Sequence, residues 1–146
     1  MKINPLLFGG VLLAASCQSR EQSQINALEK DVMTIHDAVM PKMGELVAME
    51  SAIQRQIAQT DSLLKITPND STLQYVLEKS ITLSSQLKKA DHAMMDWMHR
   101  YRGDSLKKLL PSQAIQALTQ EKINIEQVSD DMLKSIEETQ NFLKQQ

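Results

Sequence analysis

Two stretches of this chain carry side chains that could bind a soft metal. One reads His36-Asp-Ala-Val-Met40-Pro-Lys-Met43, the other Asp91-His-Ala-Met94-Met95-Asp-Trp97-Met98-His99. His36 and Met40 are four residues apart, as are Met94 and Met98, and Met95 and His99. On a helix each pair shares a face. Thioether and imidazole ligands at that spacing suit Cu(I), because soft sulfur donors select it over Zn, Mg or Ca. The candidate ligands are therefore His36, Met40, Met43, Met94, Met95, Met98 and His99. His92 and His99 alone do not form a site, since seven residues separate them by about 10 Å along a helix axis. The competing reading is packing, because methionine is an unbranched gap-filler and Met43, Met94 and Met98 fall on apolar stripes. His36 and His99 would then be solvated or bonded to a carboxylate such as Asp37 or Asp96. Trp97 lies beside the main stripe, so it either packs under a neighbouring helix or anchors a partner. Asp91 and Lys122 each interrupt an apolar stripe, which points to a cross-helix ion pair that fixes register. A general acid/base role for Asp91 has no nucleophile or pocket beside it in the pattern.

The elements that must position these residues follow from composition and periodicity. The chain has 146 residues, room for one domain and a short tail. Its 16 Lys and Arg against 18 Asp and Glu give a net charge of −2, which excludes a surface that neutralises many phosphates, and no nucleic-acid partner is expected. Four glycines and five aromatic residues (Phe8, Tyr75, Trp97, Tyr101, Phe142) supply sandwiches, barrels and glycine-cradled nucleotide folds poorly. An all-α chain remains.

Between residues 21 and 65, apolar residues recur in steps of three and four from Ile25 to Leu64, the mark of one helical face. A stutter at Ile35, Val39 and Met43 falls beside Pro41, where a kink near residues 40–44 is expected. Thr67-Pro68-Asn69-Asp70-Ser71 combines a stop, a turn and an N-cap, and starts a second helix that ends at Arg102-Gly103, with the glycine in a left-handed cap. Pro111 suits the first turn of a third helix. The expected fold is an antiparallel up-down-up three-helix bundle over residues 22–146, with helices at about 22–65, 71–102 and 111–144. A first turn near residue 68 sets Ile35 opposite Tyr101 and Met40 opposite Asp96. A second turn near residue 107 sets Ala90–His92 opposite Lys122. About thirteen residues of the first helix then overhang the others by about 20 Å. Their stripe of Ile25, Leu28 and Val32 needs cover, either from Leu106, Leu109 and Leu110 or from another protein or copy.

The N-terminus carries one Lys, then an apolar run from Pro5 to Ser16 that is shorter than the roughly 20 residues of a membrane span, so it reads as a signal peptide. Leu13-Ala14-Ala15-Ser16-Cys17 resembles the bacterial lipobox, with Ala14 where that family usually has Leu. The resemblance implies cleavage after residue 16, a lipid on Cys17, the sole cysteine, and a short tether over residues 17–21. With that cysteine lipidated, no thiol chemistry or disulfide remains. The implied location is the bacterial cell envelope, in the outer membrane on its periplasmic side or at the cell surface. Leu118-Thr-Gln-Glu-Lys122 is similar to the Leu-Thr-x-x-Gln motif of periplasmic stress chaperones, with Lys122 in place of Gln.

The lipobox together with His36-Asp37…Met40-Pro41-Lys42-Met43-Gly44 and Ala90-Asp91…Met94-Met95-Asp96-Trp97-Met98 resembles small helical lipoproteins of Bacteroidota, often labelled viral A-type inclusion proteins. That resemblance implies architecture and location rather than a reaction. The expected role is a non-enzymatic structural or interaction module, with a Cu(I)-binding role as the alternative. The membrane, through Cys17, is one expected partner. A protein or second copy on the membrane-proximal part of helix one is the other.

Overall fold

The computed structural model describes residues 12–146, with side chains from Ser19 onward. Most of the expected signal segment and the side chain of Cys17 lie outside the described residues. All regular structure within them is helical: α1 (Leu12–Val39), a 3-10 turn (Met40–Lys42), α2 (Met43–Leu64), α3 (Ser71–Arg100), the single-turn α4 (Gly103–Leu106) and α5 (Pro111–Leu143). The expected tether at 17–21 is part of α1.

Local chemistry sets most of these boundaries. Pro41 cannot donate a backbone hydrogen bond, and the long first helix breaks there into a 3-10 turn before resuming as α2. Asp70 caps α3: its Oδ1 accepts the backbone N–H of Thr72 at 2.9 Å and of Leu73 at 3.1 Å. Gln74 Nε2 ties the preceding turn by donating to the Pro68 carbonyl at 2.9 Å. Pro111 opens α5, where its missing N–H costs nothing.

The chain divides into two compact units, and α1 and α5 contribute to both. One unit holds residues up to Thr34 with Tyr101–Ile123. Its core joins Ile25 to Ala114 and Leu118, with Leu28, Leu106 and Ile115 packed around them. The stripe of the first helix is thus covered from within, by the start of α5 and by Leu106. Leu109 and Leu110 stay exposed and do not take part.

Gly103 differs from expectation. No described glycine has a positive φ, so it is not a left-handed cap. It is buried at the start of α4, where a Cβ would sit 2.7 Å from the Tyr101 hydroxyl and 3.1 Å from Glu29 Oε1. Close approach, not backbone handedness, requires glycine here. Lys107 bridges Glu29 at 2.7 Å and Asp104 at 3.2 Å across the same turn.

The other unit holds Ile35–Arg100 with Asn124–Gln146. Here α2 packs along α3, with Gln54 Nε2 donating to Ser84 Oγ at 2.7 Å. Leu46, Ile53 and Thr60 of α2 are buried at seven-residue intervals, facing Val76, Leu83, Leu87 and Met94 of α3 in the same core. The half of this core nearest the α2–α3 turn is unusually polar: Thr60, Ser80, Ser84, Ser135 and Thr139 are all buried. Four of these hydroxyls are satisfied inside their own helices, Ser80 on the Val76 carbonyl at 2.7 Å, Thr60 on Gln56 and Thr139 on Ser135 at 2.8 Å, and Ser135 on Met132 at 2.9 Å.

Candidate interaction surface

The two Met/His stretches do meet. The His36 and Trp97 rings lie 5.5 Å apart, close to the level expected from a turn near residue 68. Trp97 is buried, which settles its place in favour of the core. His36 is half-buried, with Nδ1 2.9 Å from Asp37 Oδ1. The seven candidate ligands nevertheless have unlike surroundings. Met94 is fully buried, Met40, Met43 and Met98 are half-buried, and Met95 and His99 are exposed. Neighbours in sequence, Met94 and Met95 point one into the core and the other to solvent. Among the described residues, no three His, Cys, Asp or Glu side chains are placed to hold a metal ion.

Lys122, expected from the sequence to pair with Asp91, has its Nζ 2.8 Å from Asp31 Oδ2 on α1. Separately, a recess between α3 and α5 brings Gln86, Ala90 and Ala93 together with Asp131, Ser135 and Glu138. The recess exists because Ala90, Ala93 and Ser135 are small. At about 180 Å³ it is below the usual size of a small-molecule site.

Two charged networks complete the electrostatics. Glu45 bonds Lys42 at 2.9 Å and accepts from Gln140 on α5, and these contacts hold its carboxyl below the ordinary range, Lys42 first. Burial pushes the Tyr101 hydroxyl above its usual range, helped by the Glu29 and Glu121 carboxylates. Lys107 is held above the usual lysine range by its bonds to Glu29 and Asp104. Glu45 thereby ties α2 to α5 through Gln140, and Lys107 ties the α4 turn to α1 through Glu29.

The feature that periodicity missed is the outer face of the α2–α3 hairpin. Two adjoining grooves run along it. In one, Leu64 of α2 meets Leu77, Glu78 and Ile81 of α3. In the other, Gln54 and Ile57 meet Ile81, Ser84, Ser85 and Lys88. Ile81, common to both, is 53% exposed, and Leu63 in the last turn of α2 and Ile66 just after it are 50% and 78% exposed. Ile57, Leu64, Leu77 and Ile81 belong to the same apolar pattern as the core residues. The available signal was width, since α2 carries both a seven-residue series of buried positions and a second apolar series beside it. Compared with family models, curated proteins and solved structures, the chain matches none of them.

Proposed function

We propose that this protein is a lipid-anchored helical bundle of the bacterial envelope that works by contact rather than by catalysis, presenting the outer face of its α2–α3 hairpin to a protein partner. In this reading the first helix, α3 and α5 form an up-down-up three-helix bundle. Cys17, after the lipobox-like Leu13–Ser16, carries the lipid that holds the bundle at the membrane. The observation that carries the reading is Ile81, a β-branched apolar residue half open to solvent where two grooves meet, flanked by Ile57, Leu64 and Leu77. An exposed apolar patch rimmed by polar residues on a small helical domain marks an interaction site more often than a catalytic one. The stripe of Ile25 and Val32 is a weaker candidate for a partner, because both are already buried. A soft-metal role is also less well supported, since Met94 is closed off by packing and the His36 ring is already engaged by Asp37 and Trp97.

Two experiments test this. Metabolic labelling with an alkyne fatty acid should tag the wild-type chain and not Cys17→Ala, and equal labelling of both would remove the anchor. A photo-crosslinking amino acid at position 81, in cells, should give discrete protein adducts that are missing when it replaces exposed Asp130 on α5. Identical patterns at the two positions would refute the surface.

A further inference from the structure

The hairpin face carries charges as well as apolar groups, and their arrangement selects an occupant. Glu78 borders the groove of Leu64 and Leu77, while Lys88 borders that of Ile57 and Ile81. Both are exposed, and neither has an ion-pair partner among the described residues. They lie about 15 Å apart along α3, one on each side of Ile81 and Ser85. A strip with an acidic end, an apolar middle and a basic end is complementary to its own reverse.

Resting on the reading of this face as an interaction surface, we infer that its partner is a second copy of the same chain, docked with the two α3 helices antiparallel about a two-fold axis near residue 83. That axis sets each Glu78 against Lys88 of the second copy, so two cross-copy ion pairs form from charges that have no ion-pair partner among the described residues of one chain. It also sets each Ile81 over Ser85 of the second copy, a large side chain against a small one, which lets the helices approach closely. Ile57 and Leu64 of each copy then border the α3 of the other, giving a layer of four helices from two hairpins. A parallel arrangement brings Glu78 close to Glu78 of the second copy, and like charges oppose it.

The test is sedimentation equilibrium of the full chain in density-matched detergent, which shields the apolar N-terminal residues, from about 10 µM to 1 mM. Wild type should fit a monomer–dimer equilibrium within that range. Ile81→Asp should be monomeric. Glu78→Lys and Lys88→Glu should each weaken the dimer about tenfold or more, and the double reversal Glu78→Lys/Lys88→Glu should regain most of the loss. All four positions changed or paired here are exposed, so circular dichroism should be unchanged throughout. A monomeric wild type at 1 mM, a dimer that persists in Ile81→Asp, or a double reversal no better than the single ones overturns the inference. Failure here with adducts to another protein at position 81 would remove the second copy and leave the interaction surface standing. Failure of both would remove the surface too.

Discussion

Leu118→Ala should loosen one unit of this molecule and leave the other closed. Leu118 is fully buried in a small core that joins it, among the described residues, to Ile25 and Ala114, with Leu28, Leu106 and Ile115 at its edge. Truncation removes about three carbon groups, worth about 0.8 kcal/mol each in transfer, and leaves a cavity that so thin a core fills poorly, for a total of about 3 kcal/mol or more. Every 1.4 kcal/mol is tenfold in an equilibrium constant, so local opening should rise by about two orders of magnitude. Native-state hydrogen exchange can resolve where that happens. Amides of α1 near Ile25 and of α5 near Leu118 should lose about a hundredfold in protection, while those in the middle of α2 and α3 keep theirs. The exposed Leu110→Ala serves as the control and should change nothing measurable. An equal fall in protection across α2 and α3 would refute the reasoning, because the two units would then open only together. No fall anywhere would mean that the Ile25–Leu118 contact does not hold α5 to α1.

Other substitutions probe single contacts. Gly103→Ala should cost about 1–2 kcal/mol, because the new methyl meets the Tyr101 hydroxyl and the Glu29 carboxylate that Lys107 holds, and an unchanged melting temperature would contradict that packing. Gly44→Ala has open space around its added methyl inside α2 and should stabilise by about 0.5–1 kcal/mol in urea unfolding. Thr139→Val should be neutral or stabilising within about 1 kcal/mol, since its hydroxyl serves only its own helix, and a loss above about 2 kcal/mol would reveal a cross-helix role. Lys107 and Tyr101 both bind their protons more tightly when folded, so their contribution is complete below the ordinary lysine and tyrosine range and is lost as pH rises through the raised values. Thermal stability should therefore fall above about pH 10, less steeply in Lys107→Met, and a flat profile in that range would contradict the assignment.

Much of this architecture is written in local chemistry. Pro41, Asp70 and Pro111 act within a turn of their own positions, and the breaks they imply appear where periodicity and capping place them. The meeting of His36 with Trp97 was also legible, because the connection between α2 and α3 is short and leaves one way to fold back. The partner of Lys122 was not. The bond of Lys122 to Asp31 needs the start of α5 to pack on α1, a tertiary contact with no periodic signature. Gly103 misled for a related reason, as a glycine after a helix looks the same whether it serves a turn or makes room for Tyr101. The hairpin face was hidden within a correct pattern. Ile57 and Ile81 repeat with the core residues, and only the position of α5 decides which apolar residues are covered.

The sharing of α1 and α5 between the two units bears on how the chain is made. Ile25 meets its cover, Ala114 and Leu118, across nearly ninety residues of sequence, whereas α2 and α3 meet across a single turn. During vectorial synthesis or export the hairpin can close as soon as α3 has emerged. The stripe of α1 must wait for α5. For that interval the apolar stripe of α1, close to the proposed lipid anchor, stands without its cover, and it is there that a holding chaperone would be needed most.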